Sequence, residues 1–185
     1  MSESNITKRA LAATMKQLME TTPFCKISVS DICEACGMHR KSFYYHFKDK
    51  YDLVNWIFYH DFIELSVREG PDSFPELYRN LCSYFYENRV FYKNAFSVTG
   101  QNSFRDYYKE LFEATAKAWL EEAYPEPDRL DRLTRYYAEI SLTTIIKWLD
   151  ESPCPPPEVY FALIGDLLDG LSIITEGRIS GEQPS

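Results

Sequence analysis

Prolines and glycines cut this chain into segments of helical length. Pro23, Gly37, Gly70 with Pro71, Gly100, Pro125 with Pro127 and the run from Pro153 to Pro157 stand where a helix stops or the backbone must turn. Between the breaks, apolar residues recur at three- and four-residue spacings, as in Leu11, Met15 and Leu18, the pattern of amphipathic helices. The expected fold is all-α. Helices are predicted over residues 5–21, 28–36, 39–47, 49–69, 74–88, 89–98, 102–124, 127–151 and 156–176, about nine in all.

The second and third of these make a helix, tight turn, helix unit. Ser28 and Asp31 have the capping-box spacing, in which a hydroxyl and a carboxylate three residues on satisfy free backbone N–H groups. Gly37 permits the turn. On the following helix Phe43 and Phe47 share a direction, as core residues would, while Lys41, Ser42 and Tyr45 point away from them. With Arg40 at the helix start, that face offers donors to base edges and phosphate oxygens in a major groove. Tyr44 and His46 flank it and could donate to phosphates, and Lys50 begins the next helix, where charge and backbone N–H groups together suit an anion. A solvated basic face is the plainer reading. The glycine turn, the sorting of the aromatics and the capped preceding helix favour DNA.

Charge distribution agrees. The chain of 185 residues carries a net charge of -8, yet residues 1–54 hold eight Lys or Arg against six Asp or Glu. A basic end can meet phosphate while an acidic remainder limits indiscriminate binding. No signal-peptide core and no membrane-spanning apolar run is visible, so no membrane partner is expected and the expected location is the cytoplasm. Cys25, Cys33, Cys36, Cys82 and Cys154 read as reduced thiols; the one CxxC supplies only two of the four ligands that a structural zinc needs. With three histidines and no phosphate-cradling glycine loop, GxSxG or HExxH, no catalytic residue, metal or cofactor is expected.

The segment SVSDICEACGMHRKSFYYHFKDKYDL, with Phe43-Tyr44-x-His46-Phe47 followed by Lys50 and Leu53, resembles the DNA-binding motif of the tetracycline-repressor (TetR) family of bacterial transcription regulators. The resemblance covers roughly residues 5–60. It implies a helix-turn-helix DNA-binding domain over residues 1–50 and a helical effector-binding and dimerisation domain over residues 51–185. It casts Arg40, Lys41, Ser42 and Tyr45 as base contacts, Tyr44, His46 and Lys50 as phosphate contacts, and Ser28 and Ser30 as lying near the DNA backbone. His39 departs from the small hydroxyl residue usual there. FKDKYDLVNWIF and ENRVFYKNAFSVTGQNSF are similar, more loosely, to a subgroup related to dihydroxyacetone-kinase operon regulators, some of which activate with a partner protein.

Two stripes near the end of the chain read either as internal core or as a paired interface: Leu130, Leu133, Tyr137, Ile140, Thr144 and Trp148, then Val159, Leu163, Leu167, Gly170, Leu171 and Ile174. The resemblance implies a homodimer joined there. The aromatic stretch between the two regions permits a small-molecule pocket, with Trp56, His60, Phe85, Tyr86, Tyr92, Phe96, Tyr107, Tyr108 and Phe112 as candidate lining. The expected function is a dimeric regulator on double-stranded operator DNA, a repressor modulated by a small-molecule effector. The alternatives are an activator or co-regulator working with a partner protein, and a helical interaction module without specific DNA binding.

Overall fold

A computed structural model of the chain describes residues 3–175, and among these it contains helices and turns but no strand. Helix α1 (Glu3–Met19) leads through a 3-10 turn (Phe24–Lys26) to α2 (Val29–Ala35) and α3 (Arg40–His46). Next come α4 (Lys50–Phe58), a π turn (Tyr59–Ile63) and α5 (Glu64–Glu69), which form one rod. The larger half is α6 (Phe74–Glu87), α7 (Arg89–Phe96), α8 (Phe104–Leu120), α9 (Pro127–Asp150) and α10 (Pro157–Thr175). No helix among the described residues is long and apolar enough to cross a membrane.

The differences from expectation have local causes. Helix α1 stops at Met19 rather than residue 21: the N–H groups of Glu20 and Thr21 bond three residues back, to Gln17 O and Leu18 O, in a tightened final turn. Helix α8 starts at Phe104 rather than 102: Asn102 has φ 65° and Ser103 takes the cap. It ends at Leu120, and a turn rather than helix covers residues 121–123. The helix expected over 49–69 contains a π turn at Tyr59–Ile63. The expected end of the last helix at residue 176 lies outside the described residues.

One apolar core runs through both halves. Leu11, Met15 and Met19 from α1 meet Phe43 from α3 and Leu53, Val54, Ile57 and Phe58 from α4. Phe58 carries that core into the larger half, lying 5.6 Å from Phe85 and 5.3 Å from Phe104. Buried hydroxyls within it are paired, as Tyr84 and Tyr92 are at 2.6 Å.

The α1–α2 turn is clamped from two sides. From α7, Asn94 accepts the Phe24 N–H at 2.7 Å and donates to the carbonyls of Met19 at 3.1 Å and Thr22 at 2.9 Å. From α4, the Lys50 ammonium donates to the carbonyls of Phe24 and Ile27, both at 2.7 Å. Helix α2 is fixed by its capping box, in which Ser28 Oγ accepts from Asp31 N and Asp31 Oδ2 accepts from Ser28 N at 2.8 Å. Ser28→Ala is expected to cost about 1 kcal/mol, read as a lower urea midpoint at unchanged slope; an unaltered midpoint contradicts the capping role.

Candidate nucleic-acid interface and cavity

Helix α2 ends on Gly37, whose φ of +66° puts it in the left-handed region, and the Met38 N–H closes the turn on Cys33 O at 2.8 Å. Helix α3 therefore leaves at a fixed angle with Phe43 fully buried beneath it. Arg40, Lys41, Tyr44 and Tyr45 are exposed, Tyr45 at 83 %, while Ser42 and His46 are half-buried. These six residues thus share one seven-residue helix.

They are not independent of one another. Arg40 Nη2 donates to Tyr44 OH at 3.2 Å, and its guanidinium lies 5.8 Å from the Tyr44 ring centre. Burial, with the nearby charge of Lys8, holds the His46 imidazole below its ordinary range, so at neutral pH it offers a hydrogen bond but no charge. His39 occupies the N-cap of α3 without a side-chain bond, leaving the first N–H groups of that helix without a side-chain cap. Ser30 is exposed on α2, and Ser28, though its oxygen accepts the Asp31 N–H, still has its own proton to donate.

Lys50 departs from expectation. Expected to reach phosphate, its ammonium instead faces the carbonyls of Phe24, Cys25 and Ile27, and burial lowers its pKa. Three carbonyls occupy three N–H donors, so the side chain is committed to the α1–α2 turn. Lys8, which was not among the candidates, stands 5.7 Å from the rings of Phe47 and Trp56, adding a cation beside the end of α3.

The cavity also differs from expectation. Phe85, Tyr92 and Phe96 are fully buried in the core. Trp56 and His60 stack on each other at 4.7 Å, with His60 bound to Glu64, and Tyr86 stacks on Trp148. Tyr107 packs at the edge of the core. Of the nine candidates, Phe112 alone lines the large cavity, a groove of about 530 Å³ between α6, α8, α9 and α10. Tyr108 and Phe112 also line a void of about 50 Å³ beside the π turn. The groove walls include Phe74, Tyr78, Trp119, Tyr137, Ile140 and Phe161, and its floor holds Ser141 and Thr144. No local sequence signal marks it: Ser141 sits within the buried stripe of α9 that also contains Leu130, Ala138, Leu142 and Ile145.

The expected dimer face divides. Tyr137, Ile140, Leu163, Leu167, Leu171 and Ile174 are exposed and Gly170 is half-buried, giving α9 and α10 an apolar outer surface. Thr144 is half-buried, accepting the Tyr160 hydroxyl at 2.9 Å. Trp148 does not belong to this face. It is 2 % exposed, stacked at 4.3 Å on Tyr160, and donates its Nε1–H to Pro155 O at 2.8 Å.

Comparison with known proteins agrees with this architecture. A family model described as bacterial regulatory proteins, tetR family, matches residues 10–57, and one described as a transcriptional regulator C-terminal region matches residues 72–170. A curated relative, the HTH-type dhaKLM operon transcriptional activator DhaS of Lactococcus lactis subsp. lactis (strain IL1403), is 34 % identical over 102 residues. The match spans 53 % of this chain and 53 % of that protein, about half the relative's length. Among solved structures, a dihydroxyacetone kinase operon activator DhaS superposes with TM-score 0.64 at 23 % identity, covering 91 % of this chain and 98 % of the other. Thermus thermophilus FadR, a repressor solved in complex with lauroyl-CoA, gives 0.60 at 13 % identity, with 96 % and 98 % covered. NalD of Pseudomonas aeruginosa, the secondary repressor of a multidrug efflux pump, gives 0.60 at 18 %, with 91 % and 98 % covered.

Proposed function

Because this chain belongs to the tetR family of bacterial transcription regulators, we propose that it works as a homodimer on double-stranded operator DNA, as a repressor whose grip is modulated by a small molecule. In this reading residues 1–50 read DNA and residues 51–185 dimerise and bind the effector. The observation that carries it is the outer face of α3, where Arg40, Lys41 and Tyr45 stand exposed above a buried Phe43. Arg and Lys pair with guanine edges, Ser and Tyr hydroxyls reach bases or phosphates, and Ser28, Ser30, Tyr44 and His46 flank them. Lys50 acts indirectly by holding the turn before α2.

The exposed apolar residues of α9 and α10 supply the dimer surface. Two copies are needed because one recognition helix reads too few base pairs, and two-fold symmetry places two helices in successive major grooves. Activation is the second reading, favoured by the relative named as an activator. A reporter gene behind the bound operator separates the two by the sign of its response.

The test is binding to DNA from immediately upstream of the protein's own gene, against a shuffled duplex, over a salt series. Preference of about a thousandfold with a steep salt slope is expected. No preference and no salt dependence overturns the reading in favour of a helical interaction module. Tyr45→Ala is expected to cost about 1–3 kcal/mol of operator affinity with helicity and dimerisation intact; unchanged binding removes Tyr45 from the interface.

A further inference from the structure

The groove between α6, α8, α9 and α10 has no carboxylate, ammonium, guanidinium or imidazole among its lining residues; its polar groups are hydroxyls and the Trp119 indole. The hydroxyls of Tyr78, Ser141 and Thr144 belong to one hydrogen-bonded chain, while Ser73 and Tyr137 stand outside it. Tyr108 and Ser141 are 2.7 Å apart, Ser141 and Tyr78 3.3 Å, and Tyr78 and Tyr160 3.2 Å. Tyr160 then donates to Thr144 Oγ1 at 2.9 Å, and Thr144 donates to the Ile140 carbonyl at 2.8 Å.

Each hydroxyl has one proton, which fixes the direction of the chain. Thr144 spends its proton on backbone and Tyr160 spends its own on Thr144, so Tyr78 must donate to Tyr160. Ser141 must then donate to Tyr78, and Tyr108 to Ser141. Every proton is used inward. Tyr78, Ser141 and Thr144, the three members that line the groove, are left with lone pairs only. An incoming acceptor must break a bond in this chain, whereas an incoming donor completes it.

We propose that the groove takes an uncharged, largely apolar small molecule carrying a hydrogen-bond donor, a hydroxyl or amide N–H, which it gives to the oxygen of Thr144 or Ser141. This rests on the effector reading above and names the chemical class. The groove's volume of about 530 Å³ falls within the range of ~300–1,000 Å³ typical of small-molecule sites. Phe74, Phe112, Trp119 and Phe161 suit a flat apolar body, and a charged head would lose its hydration without gaining a counter-charge. An apolar helix from a second copy would leave the hydroxyl floor without a donor.

The test is calorimetric titration of the full chain with three matched probes: 2-naphthol, 2-methoxynaphthalene and 2-naphthoate. Naphthol is expected to bind about tenfold or more tightly than the ether or the carboxylate. In Tyr78→Phe the Ser141 proton loses its acceptor and turns toward the groove, so the preference over the ether should shrink to about twofold or reverse. Thermal unfolding of that variant checks that it is folded, and Thr144→Val, which removes an acceptor, gives a second readout if it is not. Equal or tighter binding of the ether or the carboxylate overturns the proposal. Failure of all three probes overturns it too, and a dimer in sedimentation with Ile140 inaccessible would then assign the groove to the second copy. Naphthol preference without any change in operator binding supports the proposed ligand class while defeating the effector role.

Discussion

Trp148→Ala lowers the free energy of unfolding by about 3–5 kcal/mol, the cost of deleting a large side chain from a packed interior. The indole sits between Tyr86 on α6 and Tyr160 on α10, with interplanar angles of 15° and 10°. Its N–H also holds Pro155, in the run that joins α9 to α10. Alanine would leave a void between three helices and free the Pro155 carbonyl. Because α10 is anchored partly through Tyr160, the variant should also dimerise less well. Trp148→Phe separates the contributions: it keeps a ring but forfeits the hydrogen bond, at about 1 kcal/mol plus whatever volume is not refilled. Urea unfolding measures both, and a loss below about 1 kcal/mol for alanine would show that the stack is dispensable.

Asn94→Ala is expected to cost about 2–3 kcal/mol, since three backbone groups of the α1–α2 turn lose their partner together. Two carbonyls and one N–H face the amide, which fixes its orientation: the nitrogen must meet the carbonyls. Asn94→Asp is the sharper probe. It keeps an acceptor for Phe24 N–H but sets carboxylate oxygen against the carbonyls of Met19 and Thr22. Protonation relieves that contact, so the carboxyl of the folded variant should titrate above its unfolded value. The folded form then binds the proton more readily, and the variant gains stability as pH falls toward about 5. A pH series of unfolding midpoints checks it; stability that declines in parallel with wild type would show that the oxygen faces water. Operator affinity should fall in the same variants, because Asn94 ties α7 to the turn that sets the entry of α2.

What could be read from sequence followed the range of the interactions. The outward face of α3 was legible because Gly37, the Ser28–Asp31 cap and the Phe43/Phe47 pair all act within a turn or two. Lys50 was misread because charge is visible in a sequence, while the three carbonyls exposed by the turn after Pro23 lie more than twenty residues earlier. Aromatic content around residues 84–119 was read as a pocket, yet most of those rings fill one another's space, as Phe85 and Tyr92 do at 4.7 Å. The groove opens instead where α6, α8, α9 and α10 meet, which no local pattern encodes. Trp148 shares a helical stripe with Tyr137 and Ile140, but α9 is covered by Tyr86 and Tyr160 at that end only.

Tyr137 and Ile140 form part of the groove wall and also part of the exposed apolar face. Whatever covers one alters the other, and thermodynamic linkage makes that influence equal in both directions. An occupant that tightens subunit association will bind more strongly in concentrated protein; one that props the wall outward will bind more weakly there. Titrations at nanomolar and micromolar protein should therefore return different apparent constants, and the sign of that drift tells whether the occupant holds two copies together or prises them apart.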